Sequence, residues 1–194
     1  MKKIIIASSN EGKIKEIKTL LKDFDFEILS MKDIGFNDEI VEDGKTFIEN
    51  SMKKAKAVYD SCKEIVIADD SGLSVDALNG EPGVYSARYS DTGDSHSNIK
   101  KLLENLENVP YEKRTARFIC AVAVIMKDGS TYTLEEKSCE GIIIDRMSGE
   151  NGFGYDPVFY VPDHYCTMAR LTEKEKNEIS HRGRAFKNLK RLFL

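Results

Sequence analysis

Four consecutive apolar residues, Ile65-Val66-Ile67-Ala68, run straight into Asp69-Asp70-Ser71-Gly72, and this junction constrains the fold more than any other stretch. A β-branched run with no polar residue reads as a buried strand. In an open α/β sheet, ligands bind at the carboxyl ends of strands, so the strand is expected to end at Asp69 and deliver two acids there. Two such acids repel each other unless something positive sits between them, and Mg²⁺, a hard cation that prefers carboxylate oxygen, is the usual answer. A solvated turn is the competing reading, because Asp, Ser and Gly are ordinary turn residues.

The rest of the chain reads as alternating strands and helices. Residues 3–7 form a strand, followed by the polar turn Ser8-Ser9-Asn10-Glu11-Gly12 and a helix with Ile14, Ile17, Leu20 and Leu21 on one face. A second strand covers 26–29. Asp43-Gly44 lead into a helix over 46–62, with Thr46 and Glu49 at capping-box spacing. After the acids come a short extended piece at 73–75, a turn-rich stretch around Gly80-Glu81-Pro82-Gly83, and a helix over 98–106. Strands at 116–126 and 130–134 flank Asp128-Gly129, a hairpin signal, and 140–144 adds another strand. The Gly-rich loop 148–154 precedes a short strand at 158–161. A helix starts at Thr172, with Glu175 at capping-box spacing, and the last helix covers 184–193. There is no repeat or linker, and the expectation is one α/β domain, 1–194, with a mixed sheet and a long β-hairpin extension flanked by helices.

Three further segments could carry chemistry. Ser8, Ser9, Asn10 and Gly12 stand before a helix whose N-terminal N–H groups and positive dipole suit an anion, and Lys13 adds a full charge. The loop ending in Phe153-Gly154-Tyr155-Asp156-Pro157 offers close approach at its glycines and an aromatic face for a base. In Ser180-His181-Arg182-Gly183, His and Arg can donate to a carbonyl on a base edge, and Lys176 could turn toward the same pocket. Each has a plain alternative: a capped helix with a surface lysine, a connector with core aromatics, and a Ser cap with two exposed basic residues.

Composition narrows the function classes. A net charge of −4 argues against a general nucleic-acid binder. No apolar stretch approaches the roughly 20 residues that span a bilayer, and the patch after Lys2-Lys3 is too short for a signal peptide. Four widely spaced cysteines with no C-x-x-C pair fit reduced thiols in the cytoplasm better than a disulfide framework or a zinc site.

Ser8-Ser9-Asn10 with Lys13, Thr46-Phe47-x-Glu49-Asn50, Ala68-Asp69-Asp70-Ser71-Gly72, Pro82-Gly83-x-Tyr85-Ser86-Ala87-Arg88, Phe153-Gly154-Tyr155-Asp156-Pro157 and Lys176-Asn177-x-Ile179-Ser180-His181-Arg182 follow in that order along nearly the whole chain. The set resembles the Ham1/inosine triphosphate pyrophosphatase family, which hydrolyses non-standard purine nucleoside triphosphates (XTP, ITP, dITP) to the monophosphate and pyrophosphate with Mg²⁺. By this resemblance, Ser8, Ser9, Asn10, Glu11, Gly12 and Lys13 bind the triphosphate, Lys53 reaches a phosphate, and Ser71 touches the substrate. The resemblance makes Asp70 the catalytic acid, and Asp70, Asp69 and Glu42 the metal ligands. It assigns Phe153, Gly154, Tyr155 and Asp156 to the base, with Phe153 stacking, and Lys176, His181 and Arg182 to its 6-oxo group. It implies a homodimer, with a nucleotide as substrate and no nucleic-acid or membrane partner. One departure is Thr167-Met168-Ala169-Arg170-Leu171, where the family commonly has Glu in place of Arg170. A regulatory module that holds a purine triphosphate without turning it over, and a pyrophosphatase acting on modified pyrimidines, are the competing functions.

Overall fold

The computed structural model describes residues 2–193. Seven strands are hydrogen-bonded in the order β2-β1-β3-β4-β5-β6-β7. They are β1 (Lys2–Ile6), β2 (Phe26–Ser30), β3 (Ile65–Val75), β4 (Thr115–Ile125), β5 (Thr131–Ile143), β6 (Phe159–Val161) and β7 (Cys166–Thr167). β1 runs parallel to β2 and β3, while β6 is antiparallel to β5 and β7. The helices are α1 (Glu11–Leu21), α2 (Phe47–Cys62), α3 (Ser95–Asn105), α4 (Glu173–Ile179) and α5 (His181–Leu189). The mixed α/β architecture expected from the sequence is present.

The chain groups into two compact units. The first comprises the chain up to Asp70, Cys120–Glu136 and the stretch from Arg182 onward. Its β1 is covered on both faces, which is why Ile4, Ile5 and Ile6 follow one another without a polar residue. Side chains alternate across a strand, so Ile4 and Ile6 pack with Ile17 and Leu21 of α1 and with Ala185, Phe186 and Leu189 of α5. Ile5 and Ala7 pack on the other face with Ala55 and Val58 of α2.

The second unit comprises Ser71–Ile119 and Lys137–His181. Its core joins Ile99 and Leu102 of α3 to Phe118, Ile143, Tyr155, Phe159 and Met168.

Most element boundaries differ by a residue or so from the sequence reading, β7 was not expected, and some differences are larger. The strand does not end at Asp69: β3 continues to Val75 and absorbs the separate extended piece expected at 73–75. β5 is likewise a single strand, where two were expected. α3 begins before 98 because the Asp94 side chain accepts the Ser97 N–H and caps the helix there. α5 begins at His181, ahead of the expected 184. The Asp128-Gly129 hairpin is present, closed by Met126 N–H on the Ser130 carbonyl at 2.8 Å, with Gly129 at φ +86°.

Candidate functional site

In the first unit, Asp69 and Asp70 lie inside β3, and the pleat sends successive side chains to opposite faces. This corrects the expectation that the strand ends at the acids, and the two side chains meet different partners. Asp69 follows Ile65 and Ile67 to the α1/α5 face. There Lys13 Nζ is 2.7 Å from its Oδ1, Arg182 Nε and Nη2 are each 3.2 Å from its Oδ2, and the Cys120 thiol donates to Oδ2 at 3.1 Å. Arg182 also pairs with Glu16, which is buried on α1. Burial works against the guanidinium's charge, but Asp69 and Glu16 outweigh it and raise its pKa further. Asp69 is therefore held by cations of the protein itself.

Asp70 follows Val66 and Ala68 to the α2 face. Lys54 Nζ sits 2.9 Å from Asp70 Oδ1 and 2.8 Å from Glu42 Oε2. Asp70 Oδ2 is buried and accepts no hydrogen bond among the described residues. Burial pushes the Asp70 carboxyl above the usual carboxylate range, against the pull of Lys54 and Lys13. Burial acts to lower Lys54, but Asp70 and Glu42 outweigh it and keep the ammonium protonated.

The anion segment keeps its sequence-read form. Asn10 caps α1 by accepting the Lys13 N–H at 3.0 Å, and Ser8 Oγ accepts the Asn10 N–H at 3.2 Å. Ser8 is buried, Ser9, Asn10 and Glu11 are exposed, and Gly12 and Lys13 are half-buried. Lys53 is elsewhere: it is exposed and pairs with Asp43 at the surface. The buried lysine beside Asp70 is its neighbour Lys54.

In the second unit, Asp156 organises the Gly-rich loop. Its Oδ2 accepts the Phe153 N–H at 2.9 Å and the Lys176 ammonium at 2.6 Å. Lys176 Nζ lies 4.6 Å from the centroid of the Phe153 ring. The turn needs glycine at 152, where φ is +75° and a Cβ would come within 2.0 Å of Asp156 Oδ2. Gly154 also has positive φ, +61°. Tyr155 is buried and donates to the Ser86 carbonyl at 2.8 Å, so it braces the loop from within. His181 is buried with its ring stacked on Phe118, centroids 4.8 Å apart. Ser71 is half-buried at the start of this unit. Arg170 is exposed.

Some expected residues are thus brought together and others are not. Lys13 joins Asp69, Glu42 joins Asp70, and Phe153, Asp156 and Lys176 form one group. Arg182, which the resemblance assigns to the base with His181, is buried between Asp69 and Glu16. Sequence reasoning missed Lys54, Glu16 and Cys120. For Lys54 a signal existed, since it lies on the α2 stripe Phe47, Asn50, Ser51, Lys54, Ala55, Val58, whereas Lys53 falls off it. Among the described residues no group of three or more His, Cys, Asp or Glu side chains is gathered to hold a metal, none of the four cysteines is in a disulfide, and no helix is long and apolar enough to cross a membrane.

Comparison with known proteins gives a consistent picture. Residues 4–192 match the Ham1 family. A Clostridium perfringens protein named dITP/XTP pyrophosphatase is 51% identical over 197 residues, covering 98% of this chain and 96% of its own. Among solved structures, the Staphylococcus aureus Ham1 protein has a TM-score of 0.85 at 42% identity, covering 99% of this chain and 97% of that one. A Coxiella burnetii HAM1 protein has a TM-score of 0.89 at 38% identity, covering 100% of this chain and 98% of that one.

Proposed function

Because the chain belongs to the Ham1 family, we propose that it hydrolyses non-standard purine nucleoside triphosphates, dITP, XTP and ITP, to the monophosphate and pyrophosphate. The family match over 4–192 supports reading the whole chain as one catalytic domain. The observation that carries the chemistry is Asp70, a buried carboxylate with one oxygen on Lys54 and the other without a hydrogen-bond partner among the described residues.

In this reading Asp70 accepts the proton of the attacking water, a task helped by the upward push that burial gives its pKa. Water adds to the α-phosphorus, the bond to the α–β bridging oxygen breaks, and pyrophosphate leaves. Lys54 takes the phosphate-binding role first given to Lys53. Freed from one carboxylate, its ammonium would balance charge that develops on the leaving group. The N–H groups at the start of α1, capped by Asn10, would hold phosphate oxygens, with Ser8, Ser9, Glu11 and Gly12 shaping the approach. Lys13 adds its charge while tied to Asp69.

A divalent cation fits the residues present. The unpartnered Asp70 Oδ2 and the carboxylate of Glu42 are hard oxygen donors, and Mg²⁺ is commonly held by one or two carboxylates together with substrate phosphates. Asp69 is left out of that set because its oxygens are occupied by Lys13, Arg182 and Cys120. When bound, Mg²⁺ supplies charge neutralisation and polarisation of a phosphoryl oxygen.

Base recognition is assigned to Phe153 and its neighbours. Phe153 offers its ring for stacking, and Lys176, positioned by Asp156, offers a donor suited to a 6-oxo group. A site built to donate there leaves its donor facing the amino group of adenine, which disfavours ATP. The homodimer and the cytoplasmic setting implied by the family resemblance belong to the same proposal, and sedimentation of the purified chain tests the first.

The test is incubation of the purified chain with Mg²⁺ and, separately, dITP, XTP, GTP and ATP, with products followed by phosphorus NMR. Pyrophosphate from dITP and XTP, slow from GTP and ATP and lost in Asp70→Asn, is the expected result. Orthophosphate as first product would overturn attack at the α-position.

A further inference from the structure

We propose that Asn50 is a positioning residue for the carboxylate of Glu42, acting through the backbone of Gly44. The first turn of α2 holds down the segment in front of it. Glu49 accepts the N–H groups of Lys45 at 2.6 Å and Thr46 at 3.3 Å, which is the capping box in extended form. One residue further back, Gly44 N–H donates to Asn50 Oδ1 at 2.8 Å. Three successive backbone donors are therefore held by two adjacent side chains of the helix.

The cap alone explains Glu49 but not Asn50. Asn50 is 1% exposed, and its Nδ2 is buried with no partner among the described residues. A half-satisfied buried amide costs stability that an apolar residue on the same helix stripe would not. What the amide contributes is the contact with Gly44. The approach is close enough to require glycine there: a Cβ would lie 2.5 Å from Asn50 Oδ1 and 2.9 Å from Glu49 Cβ. Asn50 and Lys54 are one helical turn apart on the same face. The segment clamped at Gly44 carries Glu42 to Lys54 Nζ at 2.8 Å, and that ammonium reaches Asp70 at 2.9 Å. On the outer side the segment is tied by the exposed Asp43–Lys53 pair, a kind of contact that contributes little. The buried amide thus fixes where the Glu42 carboxylate stands.

The inference rests on the reading of Glu42 as a donor to the cation, and its test does not depend on turnover. Mn²⁺ binding to the full chain is followed by water-proton relaxation for wild type, Asn50→Ala and Gly44→Ala, with thermal melting alongside. Loss of an outer partner of a metal ligand commonly weakens the metal about tenfold or more. Both variants are expected to raise the Mn²⁺ dissociation constant by about tenfold. In dITP hydrolysis, the Mg²⁺ needed for half-maximal rate should rise in step, with kcat at saturating Mg²⁺ little changed. Amide exchange at Gly44, slow in wild type, should become at least tenfold faster in Asn50→Ala. Should Asn50→Ala fail to fold, Gly44→Ala breaks the same contact from the other side. A freed Gly44 amide with unchanged Mn²⁺ affinity overturns the positioning role, and an unprotected Gly44 amide in wild type removes its basis. Absent turnover with intact Mn²⁺ effects would count against the pyrophosphatase reading and leave this one standing.

Discussion

Asp69 and Asp70 are neighbours in sequence but belong to two separate ion networks on opposite faces of β3. Asp69 meets Lys13 and Arg182, and Asp70 meets Lys54. Substitution to Asn should therefore separate stability from activity. Asp69→Asn leaves the buried Arg182 short of a counter-charge, which costs on the order of 3 kcal/mol. Asp70→Asn also leaves Lys54 with Glu42 alone, but burial already disfavours the Asp70 carboxylate, so the fold should lose less than in Asp69→Asn, while turnover falls by about 10²–10⁴ if Asp70 is the base. Urea unfolding and steady-state kinetics on both variants check this. Equal stability loss in the two would contradict the division of roles.

A second contrast concerns Lys53 and Lys54. Removing Lys54 strips the bridge between Asp70 and Glu42, and Lys54→Met should lower kcat by about 10²–10³. Lys53→Met removes an exposed pair with Asp43 and should change kcat less than about twofold. Comparable losses in both variants would refute the reassignment from Lys53 to Lys54.

The sequence carried the α/β order, the hairpin at Asp128-Gly129 and the two capping boxes because each is a local signal, readable from a few residues. It also carried Asp69, Asp70, Lys13, Glu42 and the group of Phe153, Asp156 and Lys176, but not Lys54, Glu16 and Cys120, which join the networks of the acids. What it could not carry is which face of β3 each acid takes. The strand was expected to stop at Asp69, because Asp, Ser and Gly are turn formers. Pairing with neighbouring strands overrides that local preference and continues β3 to Val75. The ion pairs of Arg182 were illegible for a related reason: its partners Glu16 and Asp69 are 166 and 113 residues away in the chain, and no local pattern announces them. That Lys54 and not Lys53 is buried was readable, since helical period alone puts Lys54 on the stripe.

Asp94 gives a pH dependence with a definite sign. Its carboxylate caps α3 by accepting from Ser97, and it also accepts from Thr92, which together hold its pKa far below the usual range. A depressed folded pKa contributes stability that is present above the unfolded value, near about 4, and is lost as pH falls toward the folded value. Asp94→Asn keeps a capping oxygen without the charge. Wild type should therefore lose more of its melting temperature than Asp94→Asn between about pH 5 and pH 2. Parallel curves would show that the charge at this cap has no part in acid sensitivity.

Phe153 is placed by two contacts that are independent of the phosphate chemistry. Its N–H is bound by Asp156, and Lys176 stands over its ring. Truncation loses the contact with Lys176, but the backbone N–H keeps Asp156, and Lys176 also keeps Asp156. Truncation to Ala should therefore leave the loop held while removing the stacking surface. Stacking of a base on an aromatic ring contributes about 1–3 kcal/mol, which corresponds to a rise in KM for dITP of about 5–150-fold. Since stacking is made equally in ground and transition states, kcat should change little. Steady-state kinetics on Phe153→Ala with dITP separate the two parameters. A fall in kcat at unchanged KM would mean that the ring positions the reacting phosphate and does not grip the base.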